Sequence, residues 1–91
     1  MQIEDLDTYS EKILNIVSLN VKKYREQKKI TQLELALEIG MNGSAYFGKA
    51  ELRKPNHHFN IKHIAKISKV LDVEICEFFK TNSIQSNPSV S

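Results

Sequence analysis

Ninety-one residues, 41% hydrophobic and 26% charged, suit one globular domain and leave no room for a second, catalytic one. One cysteine, Cys76, excludes an intrachain disulfide, and no apolar run approaches the roughly 20 residues that cross a bilayer. With an acidic start that lacks the basic and apolar runs of a signal peptide, the expectation is a cytoplasmic protein without a membrane partner. The net charge of +2 hides a segregation: residues 1–11 carry four acids and no base, residues 12–69 carry twelve Lys/Arg against four acids, and residues 70–91 carry Lys80 against three acids. A basic middle favours a polyanionic partner, although lysines that merely keep helices soluble give the same count.

In chain order, Thr8-Tyr9-Ser10-Glu11 has the form of a capping box and predicts the start of a first helix, with residues 1–8 as an acidic arm. Ile13, Val17, Val21 and Tyr24 then recur at steps of four, four and three, which places them on one stripe. Lys28-Lys29-Ile30 breaks the pattern. Thr31 is an N-cap for a second helix from Gln32 to Ile39 with Leu35, Ala36 and Ile39 inward, and Gly40 ends it in the left-handed region.

After the turn-rich Asn42-Gly43-Ser44, a third helix is expected from Ser44 or Ala45 to Leu52, with Phe47, Ala50 and Glu51 inside and Ala45, Lys49 and Leu52 outside. Pro55-Asn56-His57-His58 reads as a loop. Asn60 caps a fourth helix with Ile61, Ile64, Ile67, Ser68 and Leu71 on its inner face. Val73 to Phe79 reads as a short fifth helix anchored by Ile75, Phe78 and Phe79. The Ser/Asn-rich tail 81–91 reads as disordered. The predicted domain is therefore all-α, with five short helices over residues 9–80.

Thr31-Gln32-Leu33-Glu34-Leu35-Ala36-Leu37-Glu38-Ile39-Gly40-Met41 resembles the helix-turn-helix of the Cro/phage-repressor (XRE-type) family. Val21-Lys22-Lys23-Tyr24-Arg25 is similar to the family's first helix, and Ile61 to Phe79 to its last two, so the resemblance spans about residues 17–79. It implies a compact lambda-repressor-like fold, with Ala36 small where the second and third helices cross and Arg25 paired with Glu51. The chain departs from the pattern in a turn one residue longer, in Arg53 and Asp72 where glycine is common, and in Gly48 within the third helix.

The resemblance also implies a site on double-stranded DNA, where one helix enters the major groove and flanking groups hold phosphates. Ser44, Ala45 and Lys49 would face the bases, and Gly48 would let the backbone approach closely. Gln32 would hold a phosphate at the start of the second helix. Arg53, Lys54, Asn56 and His57, with His58 beside it, would grip the backbone. The plainer reading makes Ser44 an N-cap, Ala45 a helix former, and Lys49 and Gln32 solvated surface residues.

Several chemistries have no support in the sequence. His57 and His58 are adjacent, and His63 lies on another element, without a carboxylate or cysteine at metal-ligand spacing. Cys76 beside Glu77 suits a small packing group better than a nucleophile. There is no phosphate loop or catalytic triad, so neither enzyme activity, a cofactor nor a metal is expected. One helix reads only a few base pairs, so a homodimer on a near-palindromic operator is expected, as in a phage-type repressor, a restriction-modification controller or an autorepressing antitoxin. Leu19, Val70, Phe79 and Ile84 are candidate dimer contacts, unless Leu19 packs under the acidic arm. The alternative is a protein–protein interaction module that keeps the fold without reading DNA, which the few polar atoms at Ala45 and Gly48 favour.

Overall fold

The computed structural model describes residues 5–81 and contains only helices among them. The first, α1 (Leu6–Gln27), is 22 residues and about 33 Å long; α2 (Gln32–Glu38), α3 (Ala45–Glu51) and α4 (Ile61–Leu71) are shorter, and a 3-10 turn covers Ile75–Phe79. The expected fifth helix is therefore a 3-10 turn, and the first helix is long rather than short. Of the expected arm at residues 1–8, Asp5 caps α1 and Leu6 to Thr8 form its opening turn; residues 1–4 lie outside the described residues. The expected tail lies outside the described residues except for exposed Thr81.

Caps set three of the helix starts. For α1 the cap is Asp5, whose carboxylate accepts from the Thr8 amide at 3.1 Å, so the expected Thr8–Glu11 box lies inside the helix. Thr31 forms a full capping box with Glu34, the hydroxyl accepting from the Glu34 amide at 3.0 Å and the carboxylate from the Thr31 amide at 2.8 Å. Asn60 and His63 form another, in which His63 Nδ1 accepts from the Asn60 amide at 3.1 Å. Buried Phe59, just before that cap, and buried Ile64, at the fourth helical position, occupy the two places of a hydrophobic staple.

All four helices end alike. One residue turns left-handed, its amide bonds back to the carbonyl three residues earlier, and the next amide bonds to the carbonyl five residues earlier. Only α2 uses glycine for this, Gly40 at φ 94°; α1, α3 and α4 use Lys29 (59°), Arg53 (55°) and Asp72 (57°).

The core takes Val17 and Val21 from α1, Leu35, Ala36 and Ile39 from α2, and Phe47 and Ala50 from α3. Phe59, Ile64, Ile67, Leu71 and Phe78 complete it. Phe47 and Phe59 meet edge to face with centroids 5.0 Å apart, and each fully buried phenylalanine contributes about 1.5–3 kcal/mol. Buried polar groups on α1 tie the other elements to it. The Ser18 hydroxyl donates to the Ala50 carbonyl at 2.8 Å, and Asn20 Nδ2 donates to the carbonyls of Phe78 and Lys80 at 2.9 and 2.8 Å.

Three expected inward residues point out. Ile61 is 66% exposed, because the first residue of α4 precedes the core and Phe59 fills that end instead. Phe79 is 39% exposed, because neighbours in a 3-10 turn point about 120° apart and Phe78 takes the core; Ile75, the first residue of the turn, is 40% exposed. Cys76 is exposed rather than packed. No helix among the described residues is long and apolar enough to cross a membrane.

Candidate nucleic-acid interface

The site is built around the turn between α2 and α3. Gly40 donates to Leu37 at 3.0 Å and Met41 to Ala36 at 2.9 Å, which closes α2 and turns the chain before Ser44. Six residues, 39–44, lie between the two helices. Buried Phe47, Ala50 and Glu51 hold α3 on the core, as their spacing predicts. Ala45, Lys49 and Leu52, at steps of four and three, lie on its exposed side. The segment from Ser44 thus projects an open face; it is neither tucked inside nor covered by another described element.

Ser44 is half-buried at the N-cap position of α3, yet its side chain makes no capping hydrogen bond. The hydroxyl at the head of the exposed face is therefore not consumed in holding the helix. Beyond the helix, Lys54 and Asn56 are exposed, and Asn56 adopts φ 63°. His57 is half-buried, its Nδ1 is 2.8 Å from the Pro55 carbonyl, and its ring lies 5.1 Å from that of Tyr46. Tyr46 in turn donates its hydroxyl to the His58 carbonyl at 2.8 Å, which fastens the loop to α3.

Two expected phosphate ligands are instead committed inside the molecule. Gln32 Nε2 donates to Glu51 Oε1 at 2.8 Å. Glu51 also accepts from Arg25 Nε at 2.8 Å and Nη2 at 3.1 Å, and Arg25 Nη1 caps the Ile30 carbonyl at 2.8 Å. This buried fork joins α1, α2 and α3, and the bond to Glu51 holds the Arg25 pKa above its ordinary value. Arg53, the other, pairs with Glu11, donates from Nε to Asn15 Oδ1 at 2.9 Å and from Nη1 to the His57 carbonyl at 2.6 Å. Its guanidinium clamps the loop after α3 to the first half of α1.

Gly48 also has a different neighbour from the one expected. A β-carbon there would stand 3.2 Å from Gln32 Oε1, so the missing side chain makes room for α2 rather than for open approach from outside. Sequence reasoning missed Phe59, Asn20 and Ser18 as structural anchors. The staple position of Phe59 was a usable signal; nothing local marks Asn20 or Ser18. Among the described residues no group of three His, Cys, Asp or Glu side chains is placed to hold a metal ion.

The arrangement therefore presents one small open face (Ala45, Lys49, Leu52) with half-buried Ser44 at its head, a flanking polar loop (Lys54, Asn56), and an internal frame (Arg25, Gln32, Glu51, Arg53) behind them. No protein-family model, curated protein or solved structure matches this chain.

Proposed function

We propose that this chain is a sequence-specific duplex-DNA-binding regulator of transcription of the Cro/phage-repressor type, acting as a homodimer. The observation that carries the reading is the exposed face of α3, on which Ala45 and Lys49 lie one turn apart, with an uncommitted Ser44 side chain at its head. Seated in a major groove, Ser44 would donate to or accept from a base edge, Ala45 would meet a thymine methyl, and Lys49 would reach guanine O6 or N7. Lys54 and Asn56 would hold phosphates, with His57 positioning their loop. Gln32 and Arg53 act as braces for this surface rather than as its contacts. Each copy reads one half-site, and two copies address half-sites roughly 34–36 Å apart.

Selection of bound duplexes from a random pool, at two salt concentrations, tests this. The reading expects a two-fold symmetric consensus whose affinity falls steeply with salt. A second reading, a protein-binding module with the same fold, draws on the internal commitment of Gln32 and Arg53, which thins the set of free phosphate ligands. It expects no enrichment of any duplex at either salt.

A further inference from the structure

α2 and α4 lie side by side with opposite charge. α2 carries Glu34 and Glu38 and no base; α4 carries Lys62, Lys66 and Lys69 and no acid. Between them run two adjoining depressions of about 570 and 560 Å³ that share Glu38 and Val70. Their apolar lining is Ile30, Leu37, Ile39, Ala65 and Val70. Leu37 and Leu33, four residues apart on the outer side of α2, are 53% and 49% exposed. Among the described residues no ion pair joins the two banks: Lys66 Nζ reaches only the Ile39 carbonyl, at 3.4 Å, and neither the Glu38 nor the Lys69 side chain has a polar partner.

We propose that this groove is the interface with a second copy of the chain. A groove with one acidic and one basic bank is complementary to itself under a two-fold axis running along its length. That rotation turns the copy face down and exchanges its banks, so the α2 acids of each chain meet the α4 lysines of the other. A two-fold across the groove would set acid on acid and is excluded by the same charges. The apolar lining, exposed Leu37 included, supplies the dry centre of such a contact, and the charges its rim. Ser44, Ala45 and Lys49 do not line the groove, so the pairing leaves the open face of α3 free. The interface supplies the two-fold partner that duplex binding needs, and so rests on that reading for its purpose. Its test contains no nucleic acid, so either can fail alone.

The test is sedimentation equilibrium of the full chain as wild type, as Glu38→Lys, as Lys69→Glu, and as an equimolar mixture of the two variants. The wild type is expected to dimerise. Each variant alone sets like charge on like charge at two symmetric places and should pair at least about tenfold more weakly. The mixture restores opposite charges at both places and should pair like the wild type. Both substitutions are on exposed positions, and circular dichroism of each variant should match the wild type. Wild-type chain that stays monomeric to about 1 mM would overturn the proposal and leave the groove to a different protein's helix. Variants that pair as tightly as the wild type, or a mixture that does not recover, would overturn it as well.

Discussion

Gln32 and Gly48 approach so closely that a β-carbon on Gly48 would stand 3.2 Å from Gln32 Oε1. Gln32 is held there by its bond to Glu51, so the glycine inside α3 answers to the α2–α3 crossing. The contacting atom is the end of a flexible side chain and needs to give only a few tenths of an ångström. Removing a helix-interior glycine gains about 1 kcal/mol. Gly48→Ala is therefore expected to be neutral to about 1 kcal/mol stabilising, and to reach the full gain in a Gln32→Ala background. Urea denaturation of both variants checks this; a loss above about 1 kcal/mol in both backgrounds would place the constraint elsewhere.

Arg25 and Glu51 form a buried pair, with side chains 11% and 2% exposed. Removing the cation strands a carboxylate that has lost two of its three donors. Arg25→Met should cost about 3–5 kcal/mol, a large share of the stability of a domain this size. Arg25→Met with Glu51→Leu should recover much of that loss, although Gln32 then loses its acceptor. Thermal denaturation of the single and double variants measures the difference, and equal losses would show that the pair's charge is not the cause.

Lys29 is exposed, sits at φ 59°, and has no hydrogen bond from its side chain, so it carries left-handed strain without return. Lys29→Gly should stabilise the fold by about 0.5–1 kcal/mol. Arg53→Gly relieves similar strain but cuts the clamp to Glu11 and Asn15, so it should not. Denaturant midpoints for the two variants should move apart; parallel shifts would mean the Arg53 clamp contributes nothing.

His63 has its pKa held below the ordinary 6.5 by burial, with Lys66 and His58 adding repulsion, and Tyr46 packs against its ring at 5.8 Å. The unfolded chain therefore binds a proton that the folded chain resists. The stability this represents is complete above about 6.5 and is lost as pH falls through the folded-state value. Protonation at Nδ1 also removes the acceptor for the Asn60 amide. Glu34 and Glu77, whose pKa values are lowered by the Thr31 amide and by Lys80, lose their contributions only at more acidic pH. His63→Gln keeps a side chain able to complete a capping box but does not titrate. Melting temperatures at pH about 7 and 5.5 should differ less in the variant than in the wild type. An unchanged difference would assign the pH dependence to other groups.

What could be read in advance follows how local the cause is. Thr31, Gly40 and Asn60 act through their own backbone neighbours, and each does what its residue type suggests. The inward and outward faces of α3 follow from helical spacing alone. The Arg25–Glu51 pair spans 26 residues and was expected only through the resemblance. Asp5 displaced Thr8 as first cap because two short polar runs compete and only the folded chain decides between them. Lys29, Arg53 and Asp72 adopt a turn that residue type does not advertise. Gln32 and Arg53 looked like surface ligands because nothing local reveals that Glu51 and Glu11 lie within reach.

In the proposed complex, α3 meets the duplex with its outer face. Titrating isotopically labelled chain with a duplex recovered from the selection, and following every backbone amide by NMR, measures that contact residue by residue. The largest changes should fall on Ser44, Ala45, Lys49, Lys54 and Asn56, with little change in the first turns of α1. Changes concentrated on α4 or on the first turns of α1, with Ser44 to Lys49 unmoved, would contradict it.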